Sequence, residues 1–208
     1  MFRQLWGDES SSDFSETLDY PMNHPVLTTK RLLLRQFFVT DAPVVKELAG
    51  QREIAYNTLL IPHPYEQGFA ERWITERQTD FQKGIGVTFA ILIREARMVC
   101  GAIGLGINRH HSHAELGYWV GVPFWNRGYC TEAATAVLDY AFTTLELNRV
   151  WAHHFSRNPA SGRVLQKLGM THEGCLRKHI FKWGEYLDVE QYGILRSEWS
   201  AAREKWTP

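Results

Sequence analysis

Between Glu115 and Ala134 the apolar period of the chain changes from two to 3.6 across a short turn, which commits this stretch to a strand, a turn and a helix in unbroken succession. Leu116, Tyr118 and Val120 alternate with Gly117, Trp119 and Gly121, the spacing of an extended strand, and the apolar content on both sides predicts burial of both faces. Pro123 stops the ladder, and Asn126-Arg127-Gly128 supplies turn chemistry that lets successive backbone N–H groups converge. From Thr131 onward Ala134, Val137, Leu138, Ala141, Phe142 and Leu145 fall on one helical face. A helix that opens where such a turn closes offers unpaired N–H groups and the positive end of its dipole, and Arg127 adds a full charge. Residues Asn126 to Thr131 are therefore suited to an anion, a phosphate above all.

Spacing excludes two nucleotide motifs. A P-loop requires Gly-Lys-Ser/Thr, which occurs nowhere in the chain. Gly101-Ala-Ile-Gly-Leu-Gly106 has the wrong order for a dinucleotide fingerprint and no helix after it, so it reads as a strand in which backbones approach closely.

The segment resembles motif A of the GNAT superfamily of acetyl-CoA-dependent N-acetyltransferases, in which a Q/R-x-x-G-x-G/A loop precedes a long helix. Here the loop is Trp125-Asn126-Arg127-Gly128-Tyr129-Cys130, with Trp125 for the usual Gln or Arg and Cys130 for the usual small residue. Gly128 is kept, and a loop that binds through backbone amides tolerates the two replacements. The wording from Gly117-Tyr-Trp-Val to Thr131-Glu-Ala is similar to the branch of ribosomal-protein N-terminal (alanine) acetyltransferases. Leu27 to Phe37 looks like the family's first strand, and with Glu173-Gly-Cys-Leu-Arg177 and Asp188 to Leu195 the likeness runs from about residue 25 to residue 200.

The resemblance implies an α/β (α+β mixed sheet) fold, with a twisted, mostly antiparallel sheet that splays at the acetyl-CoA site and is flanked by helices. It also implies roles. Acetyl-CoA is the co-substrate, its pyrophosphate at Asn126, Arg127, Gly128, Tyr129, Cys130 and Thr131, its pantetheine arm along Leu116, Gly117, Tyr118, Trp119 and Val120. The Val120 N–H is the preferred donor to the thioester oxygen. Asn158-Pro-Ala-Ser161 reads first as a helix start, with Asn158 as N-cap, Pro159 at the first position and Gly169 as the stop. In the family that segment lies beside the departing thiol, so Asn158 contacts the pantetheine and Ser161 is the candidate donor to the thiolate. Glu115 is the candidate base, acting through a water, with His113 as second choice. Direct transfer to the amine is preferred over an acetyl-enzyme on Cys130, which falls where the phosphate should lie.

The acceptor remains open between a protein N-terminal α-amine, favoured by the branch, and a small amine such as a polyamine or antibiotic. A non-catalytic acyl-CoA-binding module is the third reading, because binding needs Gly128 and its neighbours but no proton path.

Composition removes other classes. Lys+Arg and Asp+Glu both number 23 in 208 residues, so no overall charge directs the chain to nucleic acid or membrane. Aromatic residues without a basic stripe line a core or groove more readily than they stack bases. Cys100, Cys130 and Cys175 are odd in number and widely spaced, which fits neither a disulfide framework nor a thiolate zinc site, and the start of the chain lacks a secretory apolar region, so a reducing cytoplasm is expected. His110, His111, His113, His153 and His154 lack a third convergent ligand at readable spacing, and no metal is expected. The chain is expected to be one domain over 25–200, monomer or homodimer, with a flexible extension over 1–24 and a tail over 201–208.

Elsewhere the pattern predicts a helix after Thr40-Asp41, an irregular stretch across Leu59 to Tyr65, and a second helix after Tyr65-Glu66 towards Gly84. A hairpin of Gly86 to Ile93 and Met98 to Ile107 feeds the strand beginning at His113, and Arg149 to Phe155 is a further strand. In the family the helix-loop-helix region helps to form the acceptor groove.

Overall fold

The computed structural model describes residues 23–203; the extension proposed for residues 1–24 and the tail over 201–208 fall largely outside the described residues. Within them the order is β1 (Leu27–Thr28), β2 (Leu32–Arg35), α1 (Ala42–Ala49), α2 (Arg52–Asn57), α3 (Phe69–Gln82), β3 (Gly86–Ile93), β4 (Met98–Asn108), β5 (His113–Val120), α4 (Tyr129–Thr143), β6 (Arg149–Phe155), α5 (Pro159–Lys167), β7 (Thr171–Lys182), β8 (Glu185–Leu195) and α6 (Arg196–Arg203). The strands form one sheet in the order β1-β2-β3-β4-β5-β6-β8-β7, and only the β5–β6 pairing is parallel. Among the described residues no helix is long and apolar enough to cross a membrane.

The central strand β3 explains why the sheet is covered twice. Val87, Phe89 and Ile91 enter a core with Ala134, Val137, Leu138 and Ala141 of α4 and Leu165 of α5, whereas Ala90 and Leu92 enter a second core with Val45 and Ala49 of α1 and Ile74 of α3. Each such buried Leu, Ile or Phe stabilises the fold by about 1.5–3 kcal/mol relative to exposure. In β4 an ideal Cβ on Gly101 would stand 2.3 Å from the Trp119 carbonyl oxygen, and on Gly104 2.6 Å from that of Val87. These glycines serve close strand packing, as the sequence suggested.

Four expectations need correction. Both faces of β5 are not buried: Leu116 and Val120 are, but Gly117 is exposed and Trp119 and Tyr118 only half-buried, because the strand loses its neighbour on one side. The helix expected from Thr131 opens at Tyr129 with Gly128 as N-cap and closes at Thr143, so Leu145 lies past its end. The first strand is instead a hairpin: Leu27 and Thr28 pair antiparallel with Leu34 and Leu33, and the Thr29 N–H donates to the Leu32 carbonyl at 3.0 Å to close the turn. Finally, α2 was not foreseen; it follows α1 after Gly50-Gln51.

Candidate active site

The parallel ladder between β5 and β6 lasts only from His113–Glu115 against Arg149–Trp151. Beyond it β5 stays with β4, up to Val120 opposite Gly101, while β6 stays with β8, up to Phe155 opposite Val189. The two strands therefore part after Glu115 and leave a wedge. The Gly121 N–H donates to the Cys100 carbonyl at 2.9 Å, which fixes the phase of the β4–β5 ladder. Alternation then turns the N–H and C=O groups of Leu116, Tyr118 and Val120 towards the wedge. The Val120 carbonyl is taken by the Trp125 indole N–H at 2.6 Å, so at that position the amide N–H is what the wall offers a ligand. Trp125, a departure from the family loop, thus has a structural use.

A 3-10 turn over Val122–Phe124 carries the chain from β5 to the loop. Asn126 at φ 60° and Gly128 at φ 77° are both left-handed, a conformation that curls consecutive amides inward, before α4 begins. Arg127 and Gly128 are exposed and Tyr129, Cys130 and Thr131 half-buried. Burial, followed by the neighbouring Cys100, pushes the Cys130 thiol well above its ordinary value, so it is held as a thiol.

At the closed end of the wedge, Glu115 on β5 meets a partner that sequence reasoning missed: its Oε1 is 3.0 Å from Nδ1 of His153 on β6. The register that sets Glu115 opposite Trp151 brings them together. Second-choice His113 is one step further back on the same face, and burial, with His111 and Arg149 nearby, lowers its affinity for a proton. Among the described residues no group of three His, Cys, Asp or Glu side chains could hold a metal ion.

Asn158 caps α5 as expected, its side-chain oxygen accepting from the Ser161 N–H at 3.2 Å. Ser161 reaches the wall of the wedge, with its Oγ 2.8 Å from the Tyr118 hydroxyl. Burial pushes the Tyr118 phenol well above its ordinary value, so it stays protonated and can donate to Ser161. The Ser161 proton is then free to point elsewhere. Sequence reasoning had counted Tyr118 only for its backbone.

Across the wedge mouth lies α2. Gln51 Oε1, just before it, accepts from the Val122 N–H at 3.3 Å near the end of β5. At its other end, Arg157, just past β6, donates to the Tyr56 carbonyl at 2.7 Å, its guanidinium 3.7 Å from the centre of the Tyr56 ring. The tip of the β7–β8 hairpin closes over the same helix. Lys182 Nζ donates to the carbonyls of Ala55 (2.7 Å), Thr58 and Leu59 (3.3 Å), Arg52 lies 5.6 Å over the Trp183 ring, and Glu185 pairs with Arg157. Burial, reinforced by the Arg157 charge, lowers the Lys182 pKa to about 8.

A family model described as an acetyltransferase (GNAT) domain matches residues 31–171. An uncharacterized N-acetyltransferase of Bacillus subtilis, YoaA, is 31% identical over 174 residues, covering 83% of this chain and 97% of that protein. The putative ribosomal N-acetyltransferase YdaF of the same organism is 33% identical over 106 residues, 50% of this chain and 58% of that protein. A spermidine N(1)-acetyltransferase of Vibrio cholerae is 30% identical over 93 residues, 45% of this chain and 54% of that protein. Among solved structures, an acetyltransferase (GNAT family) from Bacillus anthracis superposes with a TM-score of 0.74 at 26% identity, covering 84% of this chain and all of that one. The extent of the family match, with the wedge and loop built as they are, means that this chain belongs to the GNAT superfamily and is an acetyl-CoA-dependent N-acetyltransferase.

Proposed function

We propose that the wedge transfers the acetyl group of acetyl-CoA directly to a protein N-terminal α-amine. The observation that carries this reading is the parting of β5 and β6 immediately after Glu115, which leaves a row of outward amides beside a carboxylate–imidazole pair. The residues present suit the co-substrate. Leu116, Tyr118 and Val120 offer the backbone edge that an extended pantetheine amide chain can pair with, and the loop from Asn126 to Thr131 offers amides and the Arg127 charge to phosphate. The Val120 N–H is the donor to the thioester oxygen as charge grows on it.

Glu115, oriented by His153, takes the proton of the attacking amine through a water and returns it to solvent, while Ser161, accepting from Tyr118, gives a hydrogen bond to the departing thiolate, which is protonated from solvent. The amine loses one proton and the sulfur gains one, so the transfer balances with no further reactant. An α-amine of pKa about 8 requires less of the base than a lysine of about 10.4. The mouth also favours a peptide over a polyamine: beyond the neutral Arg157–Glu185 pair, Arg52 and Lys182 set two cations beside Trp183, where a polycation would be repelled.

Thiol release from acetyl-CoA, measured across N-terminal peptides, lysine peptides, polyamines and aminoglycosides, tests the acceptor. Peptides with a free α-amine should turn over fastest; preferred turnover of spermidine would overturn the assignment, and CoA binding with no turnover on any of these amines would favour a binding module. Glu115→Gln should lower kcat by about 10²–10⁴-fold.

A further inference from the structure

The turn between β1 and β2 reaches across to the start of α4 and holds it with one side chain. Thr29 Oγ1 donates to Glu132 Oε1 at 2.6 Å, the Arg31 backbone N–H donates to the same oxygen at 2.8 Å, and Arg31 Nε donates to Oε2 at 2.6 Å. The other end of that guanidinium faces the loop. Nη1 donates to the Arg127 carbonyl at 3.0 Å, the guanidinium carbon lies 4.8 Å from the Tyr129 ring centre, and Nη2 is 3.4 Å from where a Cβ on Gly128 would stand.

Glu132 would be misplaced if it acted alone. It is a carboxylate in the first turn of the helix whose amino end should receive a phosphate, and like charges repel there. Burial raises its pKa, but the hydrogen bonds from Thr29 and Arg31 outweigh this and hold it below the ordinary carboxylate value, so it is ionised. Its charge is spent on Arg31. With Nε on Glu132 and Nη1 on the Arg127 carbonyl, the fork is fixed in plane and Nη2 is left at the lip beside Gly128, with Arg31 still 46% exposed.

We infer that Arg31 is a donor-recognition residue: Glu132 and the Arg127 carbonyl orient its guanidinium so that Nη2 and the loop amides together bind a phosphate of acetyl-CoA. This rests on the assignment of the loop to phosphate made above. The partner phosphate is a pyrophosphate oxygen or the 3′-phosphate, which share the same chemistry.

Steady-state kinetics with three donors separate the possibilities: acetyl-CoA, its analogue without the 3′-phosphate, and S-acetylpantetheine, which has no phosphate. Arg31→Ala should raise KM for acetyl-CoA about ten- to a hundredfold, the scale of a charged hydrogen bond, with kcat within about twofold. With S-acetylpantetheine the same substitution should change nothing. A penalty that vanishes on the analogue identifies the 3′-phosphate, and one that persists identifies the pyrophosphate; either supports the inference. Arg31→Lys should recover only part of the loss, because it keeps charge without the fork. Equal penalties with acetyl-CoA and S-acetylpantetheine would reduce Arg31 to a structural strut and overturn the proposal, as would no penalty at all. Wild-type protein that does not prefer acetyl-CoA to S-acetylpantetheine would instead reject the phosphate loop itself. Should Arg31→Ala fail to fold, Arg31→Lys and Glu132→Gln carry the same donor comparison.

Discussion

The donor and acceptor halves of this site are made of different material. The proposed donor half is one continuous stretch, from Glu115 through the loop to the first turn of α4, and it would act mainly through backbone amides whose directions follow from strand phase and two left-handed residues. The proposed acceptor half is assembled from segments far apart in sequence, the Gln51–Leu59 region, Arg157 and the Lys182–Glu185 tip, and it would act through side chains. A backbone site tolerates side-chain replacement, as Trp125 and Cys130 illustrate by departing from the family pattern while the loop geometry stands. A side-chain site changes its preference with a few substitutions. Donor identity should therefore be robust in this protein and acceptor identity sensitive.

The sharpest break of that contrast is Gly128→Glu. Gly128 sits at φ 77°, which costs any other residue about 1 kcal/mol or more, and the substitution also sets a negative charge where phosphate is expected. CoA affinity, measured by calorimetry, should fall by at least about a hundredfold, by strain and by like-charge repulsion together. Peptide binding at the mouth should be unaffected. Unchanged CoA affinity would show that the phosphate lies elsewhere.

On the acceptor side Lys182→Met is the counterpart. Removing the ammonium leaves the Ala55, Thr58 and Leu59 carbonyls without their donor and loosens the cover over α2, so KM for a peptide acceptor should rise about five- to tenfold while KM for acetyl-CoA holds. The same residue gives a pH signature. Its pKa is lowered from 10.5 to about 8 in the folded protein, so between those values the unfolded chain binds the extra proton. Stability should therefore rise with pH from about 8 to 10.5, and the penalty of the buried charge is fully present below that window. Thermal melts of wild type minus Lys182→Met isolate this slope from other groups; a difference that is flat with pH would mean that the ammonium is not desolvated.

The same division decides what could be read without a structure. The strand, loop and helix of the donor half, and the β3–β4 hairpin, are contiguous, so period changes, Pro123 and Gly128 locate them within two residues. Asn158 announces its cap by residue type and spacing. By contrast α2 is six residues long and preceded by Gln51, which makes no side-chain cap, so it carries neither a start signal nor a full apolar face. The turn between β1 and β2 has no Gly or Pro to mark it; it closes through Thr29 and Leu32, and Glu132, about a hundred residues away, braces it through Thr29 and Arg31. Glu115–His153 and Tyr118–Ser161 depend on the register of β5 against β6 and on the seat of α5, which no local pattern specifies.

The smallest expected effect bears on the route of transfer within the donor half. Cys130 is the nucleophile nearest the loop, and an acetyl-enzyme would require its thiolate. Burial beside Cys100 keeps it protonated, and its side chain packs into the core next to Tyr118, where no charged group stands to draw off the thiol proton. Cys130→Ala should therefore leave turnover within about twofold, the change reflecting only a small loss of packing against the core. Mass spectrometry of protein quenched during turnover is the direct check. An acetyl group found on Cys130, formed and discharged at the rate of turnover, would replace direct attack by a two-step route and make a side chain, not the backbone, the centre of the donor half.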